Sequence, residues 1–202
     1  MNLENEDNVN NSIAPHNTIN LPSDYQFHTN FDFNKDKKIL YGLQISLFAI
    51  LGLMIGLSYL LELPMKSSWS TVATILITVG MAGFYLIIHE FTHGAFYYFL
   101  SGVKPIYAVK LPYLATGSPV YFNKTSFMII ALAPVVVWGI ILTLMLLFLP
   151  ADFFKSIYIV LAINFAGSSG DIFLSYKLSK LPSKALFQDK TGTDPKVFLS
   201  VI

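Results

Sequence analysis

The chain has 202 residues, 54% of them hydrophobic and only 12% charged, and its mean hydropathy of +0.58 lies outside the usual range of soluble globular domains. A net charge of +1 gives no electrostatic reason to expect nucleic acid, and the absence of cysteine excludes a disulfide scaffold. A membrane is the first environment to consider.

Residues 1–20 are rich in Asn and poor in large apolar side chains, so they bury too little to offset the entropy of ordering them and are expected to form a disordered polar tail. In residues 21–33, Tyr25, Phe27, Phe31 and Phe33 fall at odd positions, as in a strand with one apolar face, although an interfacial linker has the same composition. A helix needs about 20 apolar residues to cross a hydrocarbon core of roughly 30 Å. Four such runs follow: residues 39–61, about Ser70 to Leu100, residues 126–149, and about Phe153 to Tyr176. The first begins after 38 mostly polar residues and so does not read as a cleaved signal peptide.

Every basic residue is lysine. Lys35, Lys37 and Lys38 precede the first run, Lys104, Lys110 and Lys124 separate the second from the third, and Lys177, Lys180 and Lys184 follow the fourth. The other two connections carry only Lys66 and Lys155, so the positive-inside bias places both termini and the central loop in the cytoplasm of a multi-pass cell-membrane protein. Within that loop, IYAVKL and PVYF flank a Pro- and Gly-containing stretch and suggest a hairpin at the membrane surface. The expected fold is an all-α membrane protein of four transmembrane helices, with a small β-hairpin at the cytoplasmic surface between helices 2 and 3. Residues 21–185 form its single domain, and residues 186–202 a cytoplasmic tail.

The second run contains HEFTH, residues 89–93, which matches H-E-x-x-H. On a helix His89 and His93 are one turn apart and project from one face, so both imidazoles can reach one zinc ion, and Glu90 lies in the same sector as a candidate general base. Ionisable groups inside a span cost at least ~2.5 kcal/mol near the bilayer centre, so three together need a partner or a purpose. Two histidines leave a catalytic zinc one protein ligand short. His16 and His28 lie in the polar N-terminal segment, Glu62 and Asp152 at span ends; Asp171 is the candidate third ligand. Depth agrees: His89 and His93 come about 29 to 35 Å along their helix and Asp171 roughly 27 Å along its own, both entering from the outer side. Around Asp171, NFAGSSGD offers Gly167 and the pair Ala166/Gly170 for close helix approach, and Asn164, seven residues earlier, shares its face. Pro134 in the third run should kink that helix or leave an unpaired carbonyl near the site.

HEFTHG on one span, ALAP on the next and Asn164 through Asp171 on a later one resemble the putative zincin peptidases, small bacterial membrane proteins related to site-2-protease-type intramembrane zinc metalloproteases. The resemblance implies zinc held by His89, His93 and Asp171, Glu90 as general base, and Asn164 as a residue that holds the substrate or its oxyanion. The aspartate sits in G-D-I here, where the larger group commonly has L-D-G. The implied activity is hydrolysis of peptide bonds in membrane-protein or peptide substrates within the lipid bilayer, with no role for nucleic acid and no indication of oligomeric state. A non-catalytic zinc-binding membrane protein, acting as sensor, scaffold or transporter component, would keep the three ligands but would not require Glu90.

Overall fold

The computed structural model describes residues 16–31, 36–110 and 113–201. Most of the expected N-terminal tail, and Phe33, lie outside these residues. Among the described residues four helical segments are long and apolar enough to cross a membrane: Lys37–Leu60, Thr71–Ser101, Lys124–Phe148 and Ala151–Ser179. The first three are helices α1, α2 and α3. The fourth breaks at Ser168 into α4 (Ala151–Gly167) and α5 (Ser169–Ser179).

Each of the first three helices starts on a polar side chain that accepts otherwise unpaired main-chain N–H groups. Asp36 accepts from Lys38 and Ile39, Ser70 from Ala73, and Asn123 from Ser126. Gly102 ends α2 at φ +69°, a left-handed conformation that lacks strain only without a Cβ. Apolar side chains from α2, α3 and α4 pack around Tyr85, Leu142, Ile157 and Val160, and Tyr158 of α4 donates to the Met54 carbonyl of α1. α1 otherwise contributes little to the core: only Met54 is buried.

The strands modify the expected all-α class. Between α2 and α3 a hairpin forms as expected, but β2 (Ile106–Lys110) pairs with β3 (Tyr113–Gly117), not with the PVYF segment. Pro119 has no N–H for a ladder, and Val120 and Phe122 are drawn instead into a buried cluster with Phe127 and Leu178. Phe122–Asn123 becomes β4 of a second, four-stranded antiparallel sheet of order β1-β6-β5-β4, with β1 at Tyr25–Asn30, β5 at Leu186–Gln188 and β6 at Lys196–Ser200. Residues 186–200 are therefore no tail: Leu186, Phe187 and Val197 are fully buried in this layer. In β1, Tyr25 is buried and its hydroxyl donates to the Lys184 carbonyl, whereas Phe27 meets Phe198 edge-on and stays exposed, and a bulge between Phe27 and Thr29 then shifts the register.

This sheet joins the segment before α1, the start of α3 and the segment after α5, so all three lie at one end of the bundle. Asn17 reinforces the junction: its amide donates to Leu100 and Ser126 and accepts from the Asn123 N–H. Lys124 likewise donates to the carbonyl of Ser179 at the end of α5 and to that of Leu181 just beyond it.

Candidate metal centre

His89, Glu90 and His93 lie on α2, and Asp171 lies in the first turn of α5. His89 Nε2 is 3.5 Å from Asp171 Oδ2, and His93 Nε2 is 3.6 Å from Asp171 Oδ1. Among the described residues this is the group whose donor atoms could share an ion, all within 4.8 Å of one another. The spacing is informative. Ligands about 2.0 to 2.1 Å from a tetrahedral ion stand about 3.3 to 3.4 Å apart, whereas a direct N–H···O bond closes to about 3 Å.

The outer nitrogens decide which way the imidazole lone pairs point. His93 Nδ1 is 2.9 Å from the Ile130 carbonyl, which can only accept, so Nδ1 carries the proton and Nε2 presents its lone pair towards Asp171. That carbonyl is free because Pro134, four residues on, has no N–H to return to it. At the other imidazole, Tyr85 stands one turn before His89, with its hydroxyl 2.9 Å from His89 Nδ1 and 2.7 Å from Asn164 Oδ1. The orientation of Asn164 is set by Nδ2, which donates to the Val135 carbonyl at 3.2 Å. Tyr85 therefore gives its proton to Asn164 and accepts from His89 Nδ1, leaving His89 Nε2 also free to bind a cation. Outer partners of this kind hold a ligand's tautomer and orientation and raise its basicity.

Asn164 thus stands behind His89. It is fully buried, and both ends of its amide are engaged within the helix core. The sequence expectation places Asn164 and Asp171 on one face; the helix is interrupted at Ser168, and Asp171 lines the cavity while Asn164 does not. The glycines also act differently from expectation: a methyl at Gly167 or Gly170 would meet nothing within 4 Å, so both open space beside Asp171 instead of admitting a helix.

Glu90 points into the same cavity, about 210 Å³ in volume, which it shares with the three ligands, Thr116, Asp189 and Gly192. The Thr116 hydroxyl lies 2.9 Å from Glu90 Oε2 and 3.0 Å from its main-chain oxygen, fixing the carboxylate from β3. The hairpin can come this close because Gly94 has no side chain: a Cβ there would run into the Tyr107 hydroxyl. Beside Glu90, the partly exposed Tyr107 has its phenol pKa raised, by burial first and by the carboxylate second. The imidazoles are 12% exposed and Asp171 22%, so water reaches the ligands.

Sequence reasoning missed Tyr85, Thr116, Asp189 and Gly192. Tyr85 had a signal in its i−4 relation to His89; the others had none.

The family described as "Putative zincin peptidase" matches residues 82–186, a stretch from the middle of α2 to the first residue of β5 that holds every group just described except Asp189 and Gly192. The chain belongs to this family. No curated protein and no solved structure matches it. Membership of a zincin family implies zinc, and two imidazole nitrogens, whose outer ring nitrogens are already tied to partners, with one carboxylate oxygen are a donor set suited to that ion.

Proposed function

We propose that this zincin-family chain is a membrane-embedded metallopeptidase that hydrolyses peptide bonds of membrane-associated protein or peptide substrates. The observation that carries the reading is the placement of the Glu90 carboxylate, held by Thr116, in the same small cavity as His89, His93 and Asp171. A non-catalytic metal binder has no need of a fixed carboxylate there.

When bound, zinc would polarise the scissile carbonyl and lower the pKa of a water molecule towards about 7. His89, His93 and Asp171 would hold the ion. Glu90 takes the proton of the attacking water and later delivers it to the leaving amine, while the Thr116 hydroxyl keeps the carboxylate aimed at that proton. Asn164 contributes by orienting Tyr85, and through it His89; its engaged amide argues against direct contact with an oxyanion.

A substrate helix hides its carbonyls in i to i−4 hydrogen bonds, so cleavage beside a membrane requires an unwound, extended segment. The β2–β3 hairpin next to Glu90 suits such a segment, which can add to a strand edge by main-chain hydrogen bonds. The four apolar helices support placement in a lipid bilayer. Lysine-rich segments at the end of the bundle where the sheet gathers the chain support a cytoplasmic location for that end, hence for both termini of a cell-membrane protein.

The test is Glu90→Gln in detergent-solubilised protein. Zinc content should stay at the wild-type level while cleavage of peptide substrates falls by about 10²- to 10⁴-fold. Unchanged cleavage in the variant, or a wild-type protein that binds zinc and cuts no peptide, favours the binder.

A further inference from the structure

The cavity around the ligands is too small for the proposed substrate. At about 210 Å³ it holds roughly seven waters, whereas an extended peptide advances about 3.3 Å per residue and needs several residues seated. Something must move. The helices around the site are tied to one another by buried side chains. The other walls are Thr116 of the hairpin and the connection between β5 and β6, from Asp189 to Asp194, which contributes Asp189 and Gly192.

That connection lies directly on the hairpin strand beside Glu90. The Asp189 carbonyl accepts from the Ser118 N–H at 2.7 Å. A Cβ on Gly117 would come within 2.6 Å of the Asp189 oxygen and the Lys190 carbonyl carbon, and one on Gly192 within 2.7 and 2.8 Å of the Thr116 nitrogen and oxygen. Gly192 also sits at φ +72°, which favours glycine. The loop keeps its own shape: Asp189 Oδ1 accepts from the N–H groups of Thr191 and Gly192 at 3.0 and 2.8 Å. Its outer end is fastened to the sheet, where Asn30 donates to Asp194 Oδ1 and the Phe31 N–H to the Pro195 carbonyl. The knuckle is thus preformed and anchored on one side. Towards the site the described main-chain hydrogen bond is the one to Ser118.

We infer that the Asp189–Asp194 loop is a built-in cover, a piece of the chain's own backbone lying where an extended substrate must lie against Thr116–Ser118. Lifting it from β3 enlarges the cleft and frees the Ser118 N–H to receive a substrate carbonyl. Its regulatory meaning rests on the peptidase reading; its opening does not, and can be followed without hydrolysis.

Hydrogen exchange on the full-length wild-type protein in detergent gives the first measurement. The amide of Ser118, whose hydrogen bond breaks when the loop lifts, should exchange on the order of tenfold or more faster than those within β5 and β6, as a locally opening unit does. Protection equal to that of β5 overturns the cover and makes the loop a fixed wall. Gly192→Ala gives the second, because its methyl group would collide with the Thr116 main chain and hold the loop off. EDTA should then strip zinc several-fold faster than from wild type, at equal zinc content before stripping. An unchanged stripping rate refutes the inference. Should the variant fail to fold, the wild-type exchange still decides. Faster stripping in a protein that cuts no peptide, variant or wild type, keeps the cover and overturns the peptidase reading.

Discussion

Tyr85→Phe separates the metal-holding role of the Tyr85–Asn164 pair from ordinary core packing. The substitution removes one oxygen atom and two hydrogen bonds, leaving the His89 Nδ1–H and Asn164 Oδ1 without a partner where Tyr85 is only 3% exposed. The two losses appear in different measurements. Asn164 Oδ1 is unpaired whether or not zinc is bound, so its desolvation lowers the stability of the metal-free protein by about 1 to 3 kcal/mol. His89, no longer held in one tautomer and orientation, costs affinity: loss of an outer partner weakens metal binding by roughly 10- to 100-fold, or about 1.4 to 2.7 kcal/mol. Competition for zinc against a chelator of known affinity, in one detergent for both proteins, measures the second quantity. Tyr158→Phe is the control, since among the described residues its hydroxyl bonds the Met54 carbonyl on α1, away from the ligands; stability should fall and zinc affinity should not. Zinc affinity of Tyr85→Phe within about threefold of wild type would show that the Tyr85 contact does not support the ligand.

Two further outcomes follow from the same structure. Asn164→Ala should lower both zinc affinity and thermal stability, because it orphans the Tyr85 hydroxyl and the Val135 carbonyl; a change confined to KM would instead restore the substrate-binding role. Burial pushes the Asp189 carboxyl above the ordinary carboxylate range despite its N–H donors. A carboxyl group whose folded pKa exceeds its unfolded value contributes stability below the unfolded value, and that contribution is lost as pH rises through the folded one. Asp189→Asn keeps the oxygen acceptor and removes the charge, so its unfolding midpoint should gain on wild type as pH rises from about 4 to 7. Parallel profiles for the two proteins would contradict this.

The parts of this protein legible in its sequence are those governed by local rules. Helix length is set by apolar run length, which is why four spans are readable to within about three residues at each end. The i, i+4 geometry of His89 and His93 and the carbonyl freed by Pro134 are intrahelical facts, and Asp171 stood out because an isolated carboxylate in an apolar run demands a partner. What tertiary structure decided is everything that depends on contacts between distant segments. Tyr85 meets Asn164 across 79 positions and Thr116 meets Glu90 across 26, and neither pairing follows any periodicity. Asn164 ends up bonded behind His89 while Asp171 lines the cavity. The last residues, polar enough to read as a tail, became two strands because the buried surface of Phe122, Phe127 and Leu178 was there to receive Phe187 and Val197, and only then could Asp189 and Gly192 be carried back over the site. Burial by a remote partner is a property of the assembled fold, and no local pattern encodes it.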